Sequence, residues 1–360
     1  MEEKRATWLE LFYDLVYVAA IATATHVLLH THHGVIPFEY ASKFVLMFIP
    51  IWWAWVGQTM FINRFFEDAI HQRLFVIGQM IFVLIMTASL NVDFDDYYYS
   101  FLIGYLGLRV MTVLQYTMVN RRIQDPAARF LGTYFWIGIG VSSLSIFFDG
   151  SLRYVVLYLG LIIDLIVPII GRKRLAMTPI NLGYLLERFG LLTIIVLGES
   201  IISILAVLEP QDGDIRSISF SILAFIVLIA IWWQYFDNIE KKVDKDAVGT
   251  GQIILYGHLF IWMSLSVLAS MMKLMYLGEL DERFEVMVTF GAVLVYFLST
   301  TLVFHNHRFP ESRLHWGYFV FFVALILVFT GLHLFVLVSP LIIMIELAIF
   351  FAIYAKLTTT

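Results

Sequence analysis

Twelve apolar stretches, each long enough to cross a bilayer, occupy nearly all of this 360-residue chain and leave no room for a soluble domain. About 20 predominantly apolar residues span the hydrocarbon core as a helix. The stretches fall near 8–30, 40–62, 73–92, 97–120, 129–148 and 152–171, then 182–208, 216–237, 251–277, 284–305, 314–337 and 339–357. Connections are short. Charged residues make up only 14% of the chain, against about 25% in soluble domains, so the expected fold class is an all-α polytopic membrane protein. No cleaved leader is recognised in MEEKRATW, and the first span is expected to act as its own insertion signal.

The two sets of six repeat one another. Pro126, Arg129, Tyr134 and Phe135 reappear as Pro310, Arg313, Tyr318 and Phe319 at a constant offset of 184. Glu10 and Phe12 match Glu187 and Phe189, and Ile51-Trp52-Trp53 matches Ile231-Trp232-Trp233. Asp68-Ala69 matches Asp246-Ala247, Gly78-Gln79 matches Gly257-His258, and Asp164 matches Glu346. Residues 1–175 and 176–360 therefore read as two six-helix tandem repeats. An even number of spans per repeat inserts both halves the same way up, which predicts a pseudo-twofold axis along the membrane normal.

Charge sets the expected orientation. Sixteen Lys and Arg residues fall in the termini and loops of one side and five on the other. The positive-inside bias places the richer side, with both termini, in the cytoplasm. A net charge of −5 gives no reason to expect a nucleic-acid partner. The chain has no cysteine, which excludes disulfides and thiolate chemistry. It also lacks Walker, HExxH, nucleophile-elbow and dinucleotide-glycine motifs, so no cofactor, ATP-driven cycle or enzymatic reaction is expected.

Charged side chains inside apolar spans are the candidate functional residues, because each costs at least about 2.5–3.5 kcal/mol at mid-bilayer. They are Glu10, Asp14, Arg109, Asp164, Glu187, Arg188, Glu199 and Glu346. Glu10 and Asp14 share a helix face by i,i+4 spacing and read either as a proton or cation site or as solvated or arginine-paired groups. Arg188 and Glu199, eleven residues apart, lie on nearly one face. They form either a polar file along the seventh span or two separate structural pairs. Gly198 and Ser200 flank Glu199 and are expected to admit a neighbouring backbone. Asp14, Asp164 and Glu199 are the candidate counter-ions of Arg109. Asp164 and Glu346 are symmetric candidates for coupling or for helix packing.

Trp52, Trp53, Trp232 and Trp233, with Gln58, Gln234 and His258, are candidates to line a pocket for an organic solute; interfacial anchoring is the alternative for the tryptophans. His26, His30, His32 and His33 cluster at one end of the first span, but their spacing defines no metal site.

WLELFYDLVYV at Trp8–Val18, YLLERFGLLTIIVLGESI at Tyr184–Ile201 and the paired IWW motifs resemble the bacterial low temperature requirement A (LtrA) family along the full length. The matching positions include Glu10, Phe12, Asp14, Glu187, Arg188, Gly198 and Glu199. The resemblance implies a polytopic membrane protein linked by name to growth in the cold, and it brings no assigned reaction. From the residues, the leading expectation is a secondary transporter of a small solute, embedded in membrane lipids, with Asp14, Glu187 and Glu199 as the groups that couple it to protons or small cations. The alternatives are a lipid scramblase, a lipid- or isoprenoid-handling protein, and an ion channel. A homodimer stays open.

Overall fold

Among the described residues every regular element is helical, and twelve helices are long and apolar enough to cross a membrane. The structure is a computed structural model that describes residues 5–65, 67–208, 214–246, 249–336 and 338–359. Lys4, counted above among the basic residues, Ala247 of the second Asp-Ala match and the first residues of MEEKRATW lie outside them. The helices are α1 (Trp8–His26), α2 (Phe38–Phe65), α3 (Ile70–Ala88), α4 (Tyr98–Ile123), α5 (Pro126–Leu144), α6 (Ser151–Ile170) and a short α7 (Arg172–Leu175). The second set is α8 (Leu182–Leu208), α9 (Ile215–Asp237), α10 (Gln252–Leu277), α11 (Glu282–His305), α12 (Trp316–Phe335) and α13 (Pro340–Thr359). Each apolar stretch coincides with one long helix, and the basic GRKR segment forms α7.

Helix starts follow local chemistry. Asp125 caps α5 by accepting from Ala128 N at 2.8 Å, with Pro126 at the first helical position. Asp281 caps α11 by accepting from Arg283 N and Phe284 N. A cap oxygen satisfies an N–H that the helix leaves unpaired, and proline there gives up a donor the helix does not need.

The chain divides into two compact units, Met1–Ala24 with Leu46–Arg188 and Asp246–Gln252, and Thr25–Val45 with Phe189–Lys245 and Ile253–Thr360. In the first unit α3, α4, α5 and α6 pack in succession, each on the next. The α5–α6 seam is tight because small residues face one another. A Cβ added at Gly138 would strike Asp164 Oδ1 and lie 2.8 Å from Gly160 O, and Ser142 Oγ donates to Leu157 O at 2.9 Å. With apolar lipid on every side, such close backbone approach supplies the packing that holds spans together.

In the second unit α9 packs on α13 and α11 on α12. Arg308, in the α11–α12 connection, is buried and donates to Asn238 Oδ1, to Thr358 O at 2.8 Å and to Ser312 O at 2.8 Å. Burial draws its guanidinium below the usual arginine range, while the neighbouring Tyr354 pulls the other way.

Candidate functional site

α1 brings two faces of polar residues into the first unit. Glu10 and Asp14 stand one turn apart, as do Tyr13 and Tyr17, and all four are buried. Asp14 is fully enclosed. Its Oδ1 accepts from Arg188 Nη2 at 2.7 Å and from Trp55 Nε1 at 2.8 Å, while Oδ2 has no hydrogen-bond partner among the described residues. Arg188 Nε lies 3.9 Å from Glu10 Oε1, and neither Nε nor Nη1 of that arginine makes a hydrogen bond. Glu10 is held from the other side: Tyr184 OH donates to its Oε1, and Thr7 N and Oγ1 each lie 2.7 Å from its Oε2.

A second ion pair lies in the same unit. Arg109 Nε donates to Asp164 Oδ2 at 2.8 Å with both side chains buried. The guanidinium carbon sits 4.5 Å from the Phe135 ring and 5.5 Å from the Trp53 ring, positions in which aromatic faces stabilise a cation. Arg109 Nη1 and Nη2 and Asp164 Oδ1 have no hydrogen-bond partner among the described residues. Gly57 makes space for the arginine, since a Cβ there would lie 3.0 Å from Nη1.

Amides and phenols run beside the two pairs. Tyr13 OH meets Tyr17 OH at 3.0 Å and donates to Gln79 Oε1 at 3.1 Å. Gln79 Nε2 donates to Gln58 Oε1 at 2.8 Å and to Gln115 Oε1 at 3.1 Å. Tyr17 lies within electrostatic reach of both Asp14 and Arg109, and Tyr105 of both Asp164 and Arg109. Gln58 Nε2, Gln115 Nε2, Thr59 Oγ1 and Tyr105 OH are buried without hydrogen-bond partners. Native interiors leave few such groups, so a gathering of them marks strain, function or bound water.

Several sequence expectations change on contact with these positions. Glu187 is exposed, with Oε1 accepting from Ala6 N at 3.3 Å. Successive helical residues point about 100° apart, and here the inward direction belongs to Arg188. Arg188 and Glu199 make separate pairs. Arg188 pairs with the acids of α1, and Glu199 meets His26 Nε2 at 3.0 Å within the second unit. A Cβ at Gly198 meets nothing within 4 Å among the described residues, so no backbone packs there. Trp52 and Trp53 are buried, but their matches Trp232 and Trp233 are 48% and 54% exposed. Trp233 Nε1 donates to Asp237 Oδ2 at 2.8 Å.

Other candidates sit in the second unit. Glu346 pairs with His333 at 2.6 Å. His258 is buried and bonded on both ring nitrogens, to Tyr235 OH at 2.7 Å and to Ile254 O at 2.6 Å. Gln234 Oε1 accepts from Tyr296 OH at 2.8 Å. Tyr13, Tyr17, Gln115 and Tyr184 were not among the sequence candidates, although the i,i+4 tyrosines and the amide within an apolar run were visible signals. Nor was Glu285, a buried acid one turn into α11.

The two blocks that carry the family resemblance touch, through Asp14–Arg188 and Glu10–Tyr184. A family model described as bacterial low temperature requirement A protein (LtrA) matches residues 5–355. The chain belongs to the LtrA family. It is similar to an uncharacterized protein of Rhizobium meliloti (strain 1021), at 26% identity over 286 residues, or 72% of this chain. The chain spans 66% of the length of that relative. In this LtrA-family membrane protein the most concentrated buried charge is thus Glu10, Asp14, Arg109, Asp164 and Arg188, all in one unit.

Proposed function

We propose that this LtrA-family protein is a secondary transporter of a small solute in the bacterial plasma membrane, coupled to protons or small cations, with Asp14 as the coupling carboxylate. The observation that supports this is an imbalance. Three buried carboxylates, Glu10, Asp14 and Asp164, share two buried guanidinium groups, Arg109 and Arg188. In a low-dielectric interior an unmatched negative charge is expensive, and uptake of a proton or cation relieves it. Asp14 is the group placed for this, because one of its oxygens is already held by Trp55 and Arg188 while the other has no hydrogen-bond partner. The open donors on Arg188, Arg109, Gln58 and Gln115 supply contacts for water or for a polar solute.

In this reading residues 1–175 and 176–360 are parallel six-helix repeats, and the basic side with both termini faces the cytoplasm. The test uses proteoliposomes on a solid-supported membrane, challenged with a panel of amino acids, sugars and carboxylates. At least one probe is expected to give a transient current that grows with an inward proton or sodium gradient, and Asp14→Asn should remove that dependence. Currents indifferent to both gradients, or an Asp14→Asn protein that behaves as wild type, overturn the reading.

A further inference from the structure

The charged cluster makes no use of a cavity of about 490 Å³ in the second unit, formed where α11 and α13 end and α12 begins. That volume lies within the range of ligand pockets, about 300–1,000 Å³. Its interior is aromatic: the Phe297 ring lies 5.7 Å from Phe319, 5.3 Å from Phe322 and 5.2 Å from Tyr354. Its rim is polar and carries His305, Asn306 and His315. Arg308 and Arg313 both lie within electrostatic reach of the His305 ring, and Glu311 is the acid in the same connection. Arg313 is exposed, and Trp316, which also lines the cavity, is 75% exposed.

We propose that this cavity binds an anionic phospholipid, with an acyl chain among the aromatic rings and the phosphate against His305, His315 and Arg313. Three features select that occupant. The wall is built partly on the span Pro310–Phe335, in whose most apolar 18-residue stretch only 17% of the residues are buried, so this helix has a broad face for the surrounding apolar medium. Arg313, exposed beside the rim and within electrostatic reach of His305, favours an anionic head over a zwitterionic one. Tryptophan and tyrosine at the head of α12, Trp316 and Tyr318, are the residue types that settle at headgroup level. A soluble anion would use the rim and leave the aromatic interior idle.

The experiment measures quenching of Trp316 emission by brominated-chain phosphatidylglycerol and by brominated-chain phosphatidylcholine in vesicles, with Trp316→Phe giving the contribution by difference. Phosphatidylglycerol is expected to quench at the lower mole fraction, with association stronger by about fivefold per engaged basic side chain. Arg313→Gln, at an exposed position that leaves folding intact, should reduce the preference, and Arg216→Gln, exposed at the start of α9, should keep it. Equal quenching by the two lipids, quenching by neither, or an unchanged preference in Arg313→Gln overturns the assignment.

Discussion

Arg109 and Asp164 are joined by a single hydrogen bond, Nε to Oδ2 at 2.8 Å, while Nη1, Nη2 and Oδ1 make none among the described residues. Removing one partner of a buried pair strands the other charge, which typically costs about 3–5 kcal/mol, whereas replacing both by apolar groups is often neutral. Arg109→Leu and Asp164→Leu are each expected to lower the unfolding midpoint in detergent strongly, and the double variant should recover most of the loss. Additive losses in that double-mutant cycle would show that the pair is not the source of the effect.

The same carboxylate sets a steric rule on α5. A Cβ at Gly138 collides with Asp164 Oδ1 and crowds Gly160 O, whereas one at Gly140 meets nothing within 4 Å. Overpacking of this kind costs about 1–3 kcal/mol. Gly138→Ala should therefore lower thermal stability by that amount, and Gly140→Ala should match wild type or exceed it. Equal midpoints for the two variants would mean the α5–α6 seam is looser than the glycine contacts require.

The spans were legible because length and hydropathy alone decide whether a helix can cross a bilayer. Facing directions were not. Glu187 and Arg188 are neighbours in sequence, yet one is exposed and the other is sealed, and only the packing around α8 distinguishes them. Asp164 was one of three acids offered to Arg109, and nothing in the spacing could choose among residues on different helices. The pairing of Glu199 with His26 was out of reach for the same reason, since the two residues lie on different helices, 173 residues apart.

Repeated sequence likewise did not mean repeated environment, and the two IWW motifs give a measurable contrast. Trp53 is buried beside Arg109 and Phe135, while Trp233 is about half exposed and bonded to Asp237. Trp53→Ala is expected to cost about 3–5 kcal/mol, as for other large-to-small core changes. Trp233→Ala should stay near about 1 kcal/mol or less, as exposed substitutions do. Stability measured for both in one detergent decides it; comparable losses would sink the difference in environment.

His26 and Glu199 form an unequal pair, at 55% and 5% exposure with 3.0 Å between Nε2 and Oε1. Because the histidine faces outward, solvent screens their attraction, and the direct contribution is about 1 kcal/mol or less. Glu199 bears the larger consequence when the partner goes, since a buried carboxylate then loses its hydrogen bond. His26→Ala should therefore destabilise more than an ordinary exposed substitution. Glu199→Gln should relieve part of that loss, because a neutral amide tolerates the site better than an unpartnered charge. The checking measurement is a cycle of unfolding midpoints for the two single variants and the double. If Glu199→Gln worsens His26→Ala by its full single-variant loss, the two residues act independently and the pair has no energetic meaning.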